Sequence, residues 1–273
     1  MSKLMVVGTP IGNLRDLSPR ALSALNECDF IAAEDTRVTI KILNHFNIKK
    51  PMVSYHEHNR RERGEQIVAK ILSGESCALV TDAGMPAISD PGEELVRQCH
   101  SNGVKVESVP GPCAFATALA ISGMPSGRFT FEGFLSVNKH SRKEHIESIV
   151  SEERTMIFYE APHKLPATLR DLAEALGDRE IAIVRELTKI HEEVIISTLC
   201  RAAEDYADNT LLGEIVLIIS GAQKPEPVKI SLDAAAELAK GYVSGGMTAS
   251  QAAKSAAKET GYKKGEIYKL LME

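Results

Sequence analysis

Short apolar runs cover residues 4–7, 30–33, 52–54, 77–80 and 106–109. They are too short for helices and are bounded by turn residues, so they predict buried strands. Between them, apolar residues recur at helical spacing over 19–26, 38–46, 60–72, 91–102 and 114–122. This alternation predicts a mostly parallel sheet with helices on both faces. Gly123-Met124-Pro125-Ser126-Gly127 interrupts the pattern. Beyond it, strands are expected at 129–134, 155–159, 180–185, 194–198 and 214–220, with helices at 141–150, 164–176 and 199–206. The strands ending at 185 and beginning at 194 leave no room for a crossover helix, so the second sheet is expected to be mixed. Gly221-Ala222-Gln223-Lys224-Pro225-Glu226-Pro227 reads as a linker, and only helices follow, over 232–243, 248–260 and 263–271. The expected organisation is an α/β domain at 1–125, a second at 126–222 and a helical tail at 228–273. The tail reads either as a small helix-turn-helix-like unit or as helices that pack on a neighbour.

Composition narrows the class. Of 273 residues, 44% are hydrophobic and 25% charged, enough to bury ordinary cores. The net charge of −5 argues against nonspecific nucleic-acid binding by overall charge, although local basic patches can still hold RNA. Cys28, Cys77, Cys99, Cys113 and Cys200 are scattered without a C-x-x-C pair, the pattern of a reducing compartment and of no cysteine zinc site. No signal-like segment and no membrane-length apolar run occurs, so a cytoplasmic protein without a membrane partner is expected.

Candidate chemistry gathers at the strand ends. Thr81-Asp82-Ala83-Gly84-Met85-Pro86-Ala87-Ile88-Ser89-Asp90-Pro91-Gly92 follows the fourth strand, rich in the glycine, proline and carboxylates that suit a ligand loop. Gly8-Thr9-Pro10-Ile11-Gly12-Asn13-Leu14 follows the first strand but fits neither the dinucleotide nor the triphosphate pattern. Glu34-Asp35-Thr36-Arg37 ends the second strand. Asp35 or Thr36 suits a helix cap, which leaves Glu34 and Arg37 to be explained by function. Ser54-Tyr55-His56-Glu57-His58-Asn59 ends the third, without the spacing of a metal site, and Arg60, Arg61 and Arg63 follow it. These arginines suit phosphate contacts or a solvated helix face. Pro110-Gly111-Pro112-Cys113-Ala114 ends the fifth strand, with Cys113 read as a small packing residue. Lys139, His140, Arg142 and Lys143 form a local basic cluster, either an RNA footprint or a solvated run.

Taken in order, Gly8–Leu14, Glu34–Arg37, Ser54–Asn59, Asp82–Pro86, Ser89–Gly92, Pro110–Pro112, Phe131-Glu132-Gly133-Phe134-Leu135 and Arg185-Glu186-Leu187-Thr188-Lys189 closely resemble the ribosomal RNA small subunit methyltransferase I family of the tetrapyrrole methylase superfamily. The resemblance spans about residues 4–221. Lys164 stands where the family more usually has Arg, and Thr81 where Ser is common. The resemblance implies a two-domain class III methyltransferase fold, with S-adenosylmethionine held in the cleft between the domains, and a homodimer. It implies methylation of a cytidine ribose 2′-hydroxyl in 16S rRNA of the small ribosomal subunit. Matching positions imply cofactor contacts from Pro10, Asp82, Ala83, Gly84, Pro86, Pro112, Cys113, Ala114, Tyr159 and Gly213. Asp35, Glu186 and Lys189 are the expected catalytic groups, with Glu34 and His56 as further bases to weigh. Arg37, His56, Asn59, Arg60, Arg61, Lys139 and Arg142 are expected on the RNA side. No metal is needed, because a sulfonium methyl already carries its leaving group. Two alternatives stand beside this reading: a precorrin-type tetrapyrrole C-methyltransferase, and a non-catalytic ribosome-binding factor on the same scaffold.

Overall fold

In the computed structural model, which describes residues 2–209, 211–223 and 231–272, the five apolar runs of the first half form one parallel sheet. Its strands are β1 (Leu4–Val7), β2 (Phe30–Ala33), β3 (Met52–Ser54), β4 (Cys77–Val80) and β5 (Val106–Val109), in the order β3-β2-β4-β1-β5. Helices α1 (Pro19–Glu27), α2 (Thr36–His45), α3 (Arg60–Leu72) and α4 (Gly92–Ser101) connect them, and α5 (Ala114–Ser122) follows β5. β1, β2 and β4 are buried along their whole length because both faces are covered. Met5, Val7, Ile31 and Val80 pack with Leu25 and Leu43 of α1 and α2. Leu4, Val6, Phe30 and Leu79 pack with Ile67 and Leu95 of α3 and α4. From the neighbours β1 and β4 the chain departs in opposite directions, to β2 and to β5. At the carboxyl ends of such strands α/β sheets bind ligands.

The second sheet is mixed. Its strands are β6 (Phe129–Phe134), β7 (Thr155–Glu160), β8 (Glu180–Arg185), β9 (Glu193–Thr198) and β10 (Ile215–Ile219), in the order β6-β7-β10-β8-β9. Only β6 and β7 run parallel; the other pairs are antiparallel. Helices α6 (Lys139–Ser148), α7 (Leu165–Leu176) and α8 (Leu199–Asp205) cover one face through Ile146, Leu169, Leu172 and Leu199. The other face takes α5, whose Ala118 and Leu119 pack with Ile157, Val184, Val216 and Ile218. The small, apolar sequence of α5 thus belongs to the core of the second sheet, and residues 1–222 form one unit.

Two helices begin earlier than apolar spacing predicts. Asp35 accepts from the Arg37 amide and starts α2 at Thr36. Asn138 accepts from the His140 and Ser141 amides and starts α6 at Lys139. Periodicity reads only the apolar positions, whereas the cap fixes the first turn. Short 3-10 turns at Leu14–Asp16 and Pro162–Lys164 add to the expected elements.

The second unit begins at Gln223 and contains α9 (Leu232–Ser244), α10 (Ala249–Thr260) and α11 (Lys264–Met272). Their shared core is Ala235, Ala239, Ala252, Ala253, Ala256 and Ile267. Thr248 and Gln251 form a reciprocal capping box, and Gly261 ends α10 in the left-handed conformation. Of the expected linker, residues 224–227 lie outside the described residues. Among the described residues, no helix is long and apolar enough to cross a membrane.

Candidate functional site

Three loops at the carboxyl ends of β1, β4 and β5 are tied together before any ligand is considered. Thr9 and Gly84 exchange backbone hydrogen bonds at 2.9 and 3.2 Å. The buried Thr9 hydroxyl donates to the Thr81 carbonyl at 3.1 Å. Gly8 and Gly111 meet back to back: a Cβ on Gly8 would lie 2.6 Å from the Gly111 Cα. Only glycine permits that approach.

The loop after β4 is held in an uncommon shape. Ala87 and Ser89 have φ of 68° and 65°, a region that costs side-chain-bearing residues on the order of 1–3 kcal/mol each. Asp90 maintains it: Oδ1 accepts from the Ala87 and Gly92 amides at 2.9 and 2.8 Å. The other oxygen, Oδ2, is buried with no partner among the described residues. Beside it, Glu34 Oε2 accepts from the Thr81 hydroxyl at 2.5 Å, and Asp82 Oδ1 accepts from the Asp35 amide at 3.1 Å.

These loops form one side of a cavity of about 430 Å³. Its first side carries Ile11, Glu34, Thr81, Asp82, Ala83, Gly84, Met85, Ile88, Ser89, Asp90, Cys113 and Ala114. The second sheet and its loops supply Phe134, Tyr159, Glu160, Ala161, Pro162, Leu187, Glu214, Ile215 and Val216. Tyr159 joins the two sides, because its hydroxyl accepts from the Phe115 amide in the first turn of α5 at 3.1 Å. Burial pushes the Tyr159 hydroxyl up to about 12, so it stays protonated.

Among the described residues, the wall holds the carboxylates of Glu34, Asp82, Asp90, Glu160 and Glu214, and no Lys, Arg or His. Burial, and then the charge of Glu34, raises the Asp82 carboxyl above its ordinary range. Burial likewise raises Asp90, against the two amides that favour its ionised form. An apolar cavity ringed by crowded acids favours a bound cation, which relieves both effects. A sulfonium donor with an ammonium group fits this set: Asp82 and Asp90 would face its positive groups, and the buried Asp90 Oδ2 has no hydrogen-bond partner among the described residues to neutralise it. No group of three or more potential metal ligands occurs among the described residues.

Of the expected cofactor residues, Asp82, Ala83, Gly84, Cys113, Ala114 and Tyr159 line the cavity. Pro10, Pro86 and Pro112 are absent from its wall and act within the loops behind it. Gly213 is also absent; a Cβ there would lie 2.2 Å from Glu186 Oε1, so it makes room for that carboxylate. Cys113 opens α5, and burial raises its thiol, which leaves it a packing residue.

The expected catalytic groups separate. Asp35 caps α2 and binds Arg37, whose side-chain and backbone hydrogen bonds hold its carboxyl down at about 2. So low a value makes a weak base. Glu186 and Lys189 meet in the loop after β8, where Lys189 Nζ donates to Glu186 Oε1 at 2.8 Å and to Glu214 Oε2 at 3.1 Å. The Lys189 hydrogen bond holds Glu186 below the usual carboxylate range. Burial lowers the Lys189 ammonium, but its bonds to Glu186 and Glu214 outweigh that and raise it overall. Lys189 is therefore a fixed cation that reaches the cavity through Glu214.

On the expected RNA side, Arg37, Arg60, Arg61 and Lys139 are exposed. Arg142 corrects the expectation: its guanidinium donates to Asp171 at 2.7 Å and to the Thr168 hydroxyl at 2.9 Å, joining α6 to α7. Asn59 is also committed locally, its side chain bonded to the His56 amide and the Ser54 carbonyl. His56 keeps its Nδ1 buried without a partner among the described residues, outside the cavity wall. The wall residues Ile88, Ser89, Asp90, Phe134, Glu160, Ala161, Pro162 and Ile215 went unassigned in the sequence reading. Ile88, Ser89 and Asp90 lie in the loop after β4, Phe134 and Glu160 end β6 and β7, Ala161 and Pro162 follow β7, and Ile215 opens β10.

A model of the tetrapyrrole (corrin/porphyrin) methylases matches residues 3–203. The ribosomal RNA small subunit methyltransferase I of Synechocystis sp. is 44% identical over 274 residues, spanning 100% of this chain and 98% of that protein. The protein of the same name from Thermotoga maritima is 46% identical over 223 residues, 82% of this chain and 100% of its own length. Among solved structures, the uroporphyrin-III C-methyltransferase from Thermus thermophilus complexed with S-adenosylhomocysteine superposes with a TM-score of 0.55 at 16% identity, covering 79% of this chain and 96% of that one. The methyltransferase CobJ gives 0.59 at 20% identity, covering 83% and 98%.

Proposed function

The chain belongs to the tetrapyrrole methylase family and, within it, to the ribosomal RNA small subunit methyltransferase I proteins, and from this membership we infer that it methylates 16S rRNA with S-adenosylmethionine as donor. The acceptor in this reading is the 2′-hydroxyl of a cytidine ribose. The observation that carries it is the acid-walled cavity between the two sheets, suited to a cationic donor. Relatives above 40% identity carry the rRNA name, whereas the uroporphyrin-III C-methyltransferase resembles the chain at 16% identity, so RNA is favoured over a tetrapyrrole. A homodimer in the cytoplasm belongs to the same reading.

S-Adenosylmethionine supplies an activated methyl group with a neutral leaving group, so this chain must align the acceptor and manage one proton. Asp82, Asp90, Ala83, Gly84, Ala114 and Tyr159 would hold the donor. Lys189 and Glu186 serve the acceptor: Lys189, kept charged by two carboxylates, orients Glu214 at the wall and stabilises negative charge growing on the attacking oxygen. Glu214, on the wall and bonded to Lys189, is placed to take the hydroxyl proton. Exposed Arg37, Arg61 and Lys139 supply phosphate contacts.

The test is single-turnover methyl transfer to 30S subunits that lack the modification, followed by mass mapping of the 16S rRNA. Lys189→Ala should lower the rate by about 10²–10³-fold while the affinity for S-adenosylmethionine holds. A wild-type rate in that variant would remove Lys189 from the chemistry. A methyl group on a base, instead of a ribose, would overturn the choice of acceptor.

A further inference from the structure

Phe134 is a wall residue to which donor binding gives no role. It is a large aromatic side chain at the cavity, yet 56% exposed. Its position depends on a bulge. β6 pairs Phe131 with Ile157, then Gly133 with Phe158 and Phe134 with Tyr159, so one extra residue is inserted at Glu132. Under strict alternation, residue 134 would share the face of Thr130 and Glu132. The insertion turns it to the face of Phe131 and Tyr159, which is the cavity side. Gly133, at φ +64°, supplies the backbone conformation. Bulges recur beside active sites because they re-aim a side chain in this way.

The ring is also braced from behind. Its centroid lies 5.4 Å from that of Tyr159, which meets Phe131 edge-on at 5.0 Å, and Phe131 stacks on Phe115 at 4.8 Å. Tyr159 is pinned in turn by the Phe115 amide. One side of Phe134 therefore rests on a fixed aromatic column while much of the ring faces solvent. The segment just beyond it is open and basic: Val137 is 79% exposed, and Lys139 and Lys143 stand on the surface of α6.

We propose that Phe134 is the platform on which the base of the target nucleotide stacks, presenting its ribose to the cavity. The proposal rests on the rRNA reading above and deepens it by naming what holds the acceptor. Single-stranded RNA is commonly held by bases stacked on aromatic rings, and a nucleotide withdrawn from its neighbours needs a replacement surface. A preformed, braced ring provides one with little ordering cost.

The test compares Phe134→Ala, Phe134→Leu and Phe134→Trp. With 30S subunits, Ala and Leu should lower kcat/KM by roughly 5- to 150-fold, the range expected for one lost base stack, whereas Trp should retain activity. Calorimetry should show unchanged affinity for S-adenosylmethionine in all three, which also reports that they fold. Since the chain has no tryptophan, Phe134→Trp introduces a single indole that can be excited apart from the six tyrosines, and oligocytidylate should quench it. Wild-type kcat/KM in the Ala variant would overturn the proposal, as would an equal loss of donor affinity, which would place the ring on the donor. If the unaltered protein leaves 30S subunits unmethylated, the rRNA reading fails. Quenching by oligocytidylate then still decides the stacking claim, and its absence overturns it.

Discussion

Substituting Gly8→Ala should damage both stability and catalysis without touching a wall carboxylate. The new Cβ would lie 2.6 Å from the Gly111 Cα, 2.7 Å from the Gly111 amide nitrogen and 2.7 Å from the Met85 sulfur. Carbon contacts are normally about 3.5–4.0 Å, so roughly 1 Å of separation must be found. Met85 has a flexible side chain and can yield, but the Gly111 contacts are backbone. β1 and β5 are paired up to Val7 and Val109, and the Gly8 amide donates to the Val109 carbonyl at 3.1 Å, so the two loops cannot part without breaking the end of that ladder. Overpacking of this kind costs about 1–3 kcal/mol. For a domain of this size that lowers Tm by roughly 2–12 °C. The same displacement moves the loops carrying Gly84 and Cys113 at the cavity wall, and a misplacement of about 1 Å can cost on the order of 10²-fold in rate. Thermal unfolding and single-turnover methyl transfer measure the two effects. Gly127→Ala, where nothing lies within 4 Å of the added carbon, is the control and should change little. A Gly8→Ala protein with wild-type Tm and wild-type turnover would refute the argument that backbone contact at this point shapes the site.

Arg142→Ala should destabilise by about 1–2 kcal/mol, because Asp171 and Thr168 lose a partly buried, charge-assisted partner, tempered by solvent at Asp171. The salt dependence of RNA binding should keep its slope in that variant; a flatter slope measured by titration would return Arg142 to the RNA surface. Asp35 gives a pH prediction. Its folded value of about 2 lies below the ordinary carboxylate value, so its contribution to stability is present above about pH 4 and is lost as pH falls toward 2. Asp35→Asn, which can still cap α2, should flatten the fall of Tm across that acid window and leave the pH profile of kcat/KM near neutrality unchanged. A shifted neutral limb would reinstate Asp35 as the base.

The strands and helices were largely legible because their signals are local. Phe30–Ala33 and Cys77–Val80 are apolar at every position, and such runs only pay their way when both faces are covered. The close spacing of β8 and β9 excluded a crossover, and they are antiparallel. The loops of the site were legible for a related reason: glycine, proline and carboxylates at a strand end mark a ligand loop, and Asp82, Ala83 and Gly84 line the cavity. The Arg142–Asp171 ion pair was not legible, because a basic side chain looks alike in sequence whether it faces solvent or an Asp from another helix. The cap at Asp35 was legible, but the closure of the Arg37 guanidinium back onto the same carboxylate was not, because the pattern of charges alone does not show side-chain direction.

From the order of residues alone came the strands and helices of the two sheets and the glycine-, proline- and acid-rich strand ends, since hydrophobic period and turn chemistry act over a few neighbouring positions; the family came instead from the ordered set of motifs that resembles it. Tertiary structure decided which acids share one cavity, that Lys189 bridges Glu186 to Glu214, and that a bulge carries Phe134 to the mouth. Those outcomes depend on contacts between residues far apart in the chain and on side-chain direction, which a single inserted residue in a strand reverses.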